Sequence, residues 1–129
     1  MFARFDYGDC IMEKLLIELP LTGEYLTTVR LTTGGLCALV GFDVDAAEDY
    51  KVCVTESLLI LKRNAFTRAS ITFTVGDELA FSVKGLEKTG EKEDSMEDEI
   101  SRALLAALVG EVEFVKDGDG AVQSIAFVG

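Results

Sequence analysis

Residues 45–66 read DAAEDYKVCVTESLLILKRNAF. Ala47, Tyr50, Val54, Leu58, Leu61 and Ala65 recur three or four positions apart, the spacing of one face of an α-helix. Asp43 or Asp45 suits the N-cap, and Glu48 and Asp49 suit the positive end of the helix dipole. Lys62 and Arg63 suit the negative end. Immediately upstream, Gly41 fits the C-cap of another helix, predicted over 24–40 with Tyr25, Val29, Leu36 and Val40 on its inner face. Gly34-Gly35 weakens the middle of that helix, since each glycine costs about 1 kcal/mol relative to alanine. Before it, Leu15-Leu16-Ile17-Glu18-Leu19 reads as a strand stopped by Pro20.

Downstream the period changes to two. Ala69–Val75 and Leu79–Val83 alternate polar with apolar residues about Gly76-Asp77, predicting a hairpin. Residues 85–99 carry Glu87, Glu91, Glu93, Asp94, Glu97, Asp98 and Glu99 against Lys88 and Lys92. They read as a solvated, mobile acidic loop running into a helix start, with Ser95 and Asp98 in a capping-box pattern. A third helix is expected from about Met96 to Leu108. The chain closes with a second hairpin, 111–115 and 122–128, about Asp117-Gly118-Asp119-Gly120. That Asp-Gly segment is read as a turn; it lacks the later ligands of a calcium loop. The predicted order is β-α-α-β-β-α-β-β. It implies an α/β (α+β) two-layer sandwich, with a mixed, mostly antiparallel sheet and its helices on one face.

The chain has 129 residues, 12 basic against 23 acidic, and a net charge of −11. That length suits one domain, 1–129, with residues 1–11 as an extension ahead of Met12, an alternative start. The charge opposes binding to phosphate backbones and anionic lipid, so neither nucleic acid nor membrane is expected as a partner. No apolar run reaches the length of a membrane span, and the N-terminus lacks a signal peptide's basic and apolar regions. Cys10, Cys37 and Cys53 are scattered, and the chain has no histidine, so no metal site is expected. Unpaired thiols fit the cytoplasm, with Cys37 and Cys53 as small core residues.

Two segments carry a resemblance: LPLTGEYLTTVRLTTGGLCALVGFDVDAAEDYKVCVTESLLILKRNAF (19–66) and LLAALVGEVEFVKDGDG (104–120). With the element order, they resemble the anti-sigma factor serine kinases of bacterial partner switching, within the GHKL (histidine-kinase-like) ATPase superfamily. The resemblance covers roughly residues 15–128. It implies the histidine-kinase-like (Bergerat) fold and three nucleotide-binding elements. The first is an E-x-x-x-N helix, where Glu56 matches the glutamate and Ile60 stands at the asparagine that would hold Mg²⁺. Asn64, one turn on, is displaced by about 5.4 Å and is not expected to substitute. The second is an adenine-binding aspartate and a glycine two residues later, which fall on Gly85 and Glu87. The third is a G-x-G before the last helix, which falls on Glu99 and Ser101. The ATP lid is shortened, with the acidic segment in its place.

The resemblance therefore implies a regulatory protein-binding module, not a catalyst, with its ATP/Mg²⁺ site lost and no cofactor. Leu59 and Ile60 would fill the former pocket with core. The alternative is a divergent ATP-dependent serine kinase that phosphorylates an antagonist protein and uses Glu56, the one retained catalytic-type residue. Partners under either reading are a sigma factor, an antagonist domain or a second copy in a homodimer.

Overall fold

A computed structural model describes residues 12–91 and 96–129. The N-terminal extension, Cys10 and Ser95 of the capping box lie outside the described residues. The elements run β1 (Glu13–Pro20), α1 (Gly23–Val40), α2 (Val44–Arg63), β2 (Phe66–Val75), β3 (Leu79–Lys88), α3 (Met96–Val109), β4 (Glu113–Lys116) and β5 (Val122–Val128). The five strands form one sheet in the order β1-β2-β3-β5-β4. The sheet expected to be mixed is antiparallel at every pairing among the described residues.

Period-two alternation gives the sheet two faces. Ile71, Phe73, Phe81, Val83, Ile125 and Phe127 are buried on one. Thr72, Ser82 and Ala126 lie in one row across the other. α2 lies over the apolar face, touching β2, β3 and β5, and is flanked by α1 and α3. Its buried stripe is Tyr50, Cys53, Val54, Ser57, Leu58, Ile60 and Leu61. Tyr50 fixes the angle of the helix on the sheet. Its hydroxyl donates to the Leu79 carbonyl at 2.7 Å, and its ring meets Phe42 and Phe127 edge-on. The thiols of Cys37 and Cys53 are core groups. Burial raises both pKa values, that of Cys53 to about 12, where it has negligible thiolate at neutral pH.

The helix ends follow their caps. Asp43 Oδ1 accepts the Ala46 N–H at 2.8 Å, which makes Asp43 the N-cap of α2. Gly41, at φ 90°, closes α1 by donating to the Cys37 and Ala38 carbonyls. The buried stripe of α1 is Val29, Thr33 and Cys37; of the predicted face, Val29 is buried and Leu36 and Val40 pack against the core, while Tyr25 is exposed.

Two boundaries depart from expectation. α2 stops at Arg63: Ala65 leaves the helix at φ 74°, and Phe66 already pairs in β2. Of the stretch read as an acidic loop over 85–99, residues 92–95 lie outside the described residues, and both flanks belong to regular elements. Gly85–Lys88 continues β3 against β2, and Met96–Glu99 is the first turn of α3, at the start expected for the third helix. Glycine and charge mimic a loop here, but the pairing of Phe66 with Lys88 and Ala69 with Gly85 extends the ladder.

Candidate functional site

The C-terminal half of α2, the far end of β3 and the start of α3 meet at one end of the domain. Glu56 is half-buried on α2, and its Oε1 accepts the Ser101 hydroxyl of α3 at 2.6 Å. The same Ser101 oxygen accepts from Arg63 Nη2 at 2.7 Å. Arg63 Nε lies 3.0 Å from Asp98 Oδ1, within ion-pair distance but out of line for a hydrogen bond. Asp98 Oδ2 accepts from Asn64 Nδ2 at 3.2 Å. Asn64 also donates to the Ile60 carbonyl and accepts the Val122 N–H at 3.0 Å. One polar chain thus ties α2 to α3 and to the start of β5, and its charges are drawn from water in opposite-sign contact.

The positions singled out from the sequence fall around this chain. Ile60 is fully buried, one turn beyond Glu56, and Leu59 is half-buried beside it. Gly85 is buried inside β3, opposite Ala69. A Cβ there would lie 2.5 Å from the Phe66 ring, so glycine is required by the close approach of an aromatic side chain. Glu87 has φ 54°, the left-handed region that favours glycine, although its side chain is exposed. Glu87→Gly should therefore raise stability by up to about 1 kcal/mol in a urea titration. A decrease would mean that the bond from Thr67 Oγ1 to the Glu87 carbonyl already settles that backbone. Glu99 and Ser101 do not precede the last helix. Both lie within α3, Glu99 exposed in the first turn and Ser101 buried in the second. There the Ser101 N–H belongs to the helix ladder and is not free to meet a phosphate.

From the sequence, Arg63 has only a helix-dipole role, Asp98 only a capping role and Asn64 none; their contact with one another is not foreseen. The available signal was Asp98 and Ser101, three residues apart on the same face of α3 as buried Leu105: polar groups on an apolar stripe, which require partners.

A second ionic contact lies at the Asp-Gly turn. Lys88 Nζ is 2.8 Å from Asp117 Oδ2 and 2.7 Å from Asp119 Oδ2, and Asp117 Oδ1 accepts the Asp119 and Ala121 N–H groups. The cation at this turn is a lysine. No cluster of potential metal ligands occurs among the described residues. The Lys88 hydrogen bond lowers the Asp117 pKa, and the two aspartates raise that of Lys88. The aspartate's contribution is therefore present above its unfolded pKa and lost as pH falls through its folded value. The lysine's is present below its unfolded pKa and lost as pH rises through its folded value. Stability from this contact should be flat across neutral pH and decline at both extremes. In Lys88→Met, the Asp117 carboxyl followed by NMR should titrate higher than in the parent. An unchanged midpoint would refute the assignment.

No family model matches the chain. The chain resembles serine-protein kinase RsbW. Over 54 residues, 42% of this chain, it is 33% identical to RsbW of Listeria monocytogenes serotype 4a, and 32% identical to RsbW of Bacillus thuringiensis strain Al Hakam. The matched stretch spans 34% of each RsbW chain. The similarity to RsbW is thus partial. No helix among the described residues is long and apolar enough to cross a membrane.

Proposed function

We propose that this chain is a non-catalytic regulatory module of the anti-sigma type, working in the cytoplasm. In this reading, the nucleotide site of the histidine-kinase-like ATPases has been replaced by contacts within the protein. The observation that carries it is the bond between Glu56 and Ser101. The one carboxylate that matches a catalytic residue is engaged by the helix that would otherwise present its N-terminus to phosphates. Three further observations support it. Ile60 offers no oxygen to magnesium and is sealed in the core. The place of an adenine-binding carboxylate lies beneath the Phe66 ring. Asn64 spends its amide on Ile60, Asp98 and Val122. These residues do not fit magnesium-bound ATP, and no phosphoryl transfer is derived for them. Function then lies in binding a protein, with a sigma factor, an antagonist domain and a second copy as the candidates.

Isothermal titration with Mg-ATP tests the reading; no heat of binding is expected. Micromolar affinity with simple stoichiometry would overturn it. Ile60→Asn, which restores the motif on paper, should lower stability by about 1–3 kcal/mol and confer no ATP binding. A stable, nucleotide-binding variant would contradict that.

The similarity to a serine-protein kinase favours a second reading, a divergent kinase that uses Glu56. It requires phosphate transfer from ATP to a serine of an antagonist protein, abolished by Glu56→Ala. Absence of transfer to any candidate antagonist would leave it without support.

A further inference from the structure

α3 carries two apolar stripes. One is buried Leu105 with the partly packed Leu108 and Val109, which face the core below Asp98 and Ser101. The other points away. Met96, Ile100 and Leu104 recur every fourth residue and are 72%, 55% and 38% exposed, with Ala103 and Ala107 exposed among them. At about 100° per residue these five side chains share an arc of about 100°, the width of a core-facing stripe on a surface helix. A second apolar stripe contributes nothing to this domain's core, and contiguous exposed apolar surface marks an interaction site.

The rim of that stripe has one sign. Glu97 and Glu99 are exposed on its two sides. The single basic residue of α3, Arg102, is turned onto the Phe114 ring, 4.7 Å from its centroid. The whole chain adds a net charge of −11. We propose that this face docks an amphipathic helix of a partner protein whose apolar ridge is flanked by lysine or arginine. The proposal rests on reading the chain as a binding module and adds the surface and the chemistry of the partner. A second copy of α3 fits poorly. Side by side in parallel, two copies would oppose glutamates with glutamates. Antiparallel, each acidic end would meet a last turn that has no basic residue and carries the negative end of the helix dipole. An anionic lipid surface is repelled by the same rim.

The test uses the full chain and a synthetic amphipathic peptide of leucine and lysine, about 18 residues or five turns long. A matched peptide of leucine and glutamate is the control. Fluorescence anisotropy should show micromolar binding of the lysine peptide alone. Binding should weaken about tenfold or more in Ile100→Ser/Leu104→Ser and in Glu97→Lys/Glu99→Lys, each checked for folding by circular dichroism. Leu31→Ser/Leu39→Ser, which removes still more exposed leucines from α1, should leave it unchanged. Three results would each overturn the proposal: no binding of the lysine peptide; equal binding by the Ile100→Ser/Leu104→Ser protein and the parent; or a dimer in sedimentation equilibrium that the same pair of substitutions dissolves. The two readings fail separately. Mg-ATP binding would overturn the lost nucleotide site and leave the docking face intact, whereas a silent peptide titration would overturn only the docking face.

Discussion

Gly85→Asp should destabilise the protein by about 3 kcal/mol or more and should not create an adenine-binding residue. The new Cβ would start 2.5 Å from the Phe66 ring. That ring is 5% exposed and belongs to the central core, so it has little room to move aside. The carboxylate would then project from the core side of the sheet beside an aromatic ring that offers it no donor. Overpacking and burial of a charge act together. Urea titration of the single variant measures the loss. Gly85→Asp/Phe66→Ala separates the causes, because removing the ring relieves the clash but not the desolvation. Relative to Phe66→Ala, the double variant should lose less stability than Gly85→Asp loses relative to the parent. A Gly85→Asp protein of parental stability that binds ATP would refute both the packing argument and the view that this pocket has been filled.

Asp98→Ala should cost about 3 kcal/mol, the scale for removing one partner of a buried ion pair. The Arg63 and Asp98 side chains are 16% and 18% exposed, so water replaces the lost carboxylate only in part. Asn64 loses an acceptor in the same step. Arg63→Met/Asp98→Leu removes both charges and should be less destabilised than the sum of the two single variants. If the effects simply add, the pair is not coupled. Amide exchange gives a second readout. In Asp98→Ala, the α3 amides should lose more protection than those of β2, because the broken contacts join α3 to α2.

Much of this fold is legible from local pattern. The α2 stripe from Tyr50 to Leu61 needs only a period of 3.6, and both hairpins need only alternation about a glycine turn. What the pattern misses depends on partners distant in sequence. Gly85-Leu86-Glu87-Lys88 looks like loop until Phe66 to Arg68 is paired beside it. Ala65 continues the helical period in sequence, but its left-handed backbone lets the chain turn into β2. That Ile60, Gly85 and Glu87 depart from the motif residues of the resemblance can be read by position. The polar contacts around those positions cannot, because Arg63 meets Ser101 across 38 residues and Asn64 meets Asp98 across 34. Glu99 and Ser101, on which the G-x-G of the resemblance falls, lie inside α3, where Ser101 shares the helical period of Leu105.

The position of α1 and α2 between β1 and β2 bears on how the domain assembles. The β2–β3 and β4–β5 pairings are hairpins that close small loops, whereas β3 meets β5 across α3 and β4. Among the described residues β1 has β2 as its one strand neighbour, and the entire two-helix segment intervenes. Closing that larger loop is entropically unfavourable until α1 and α2 have docked and shortened the effective tether between the two strands. The helical pair thus serves as the splint on which the edge strand is laid, and the sheet grows outward from β2 and β3 to reach it.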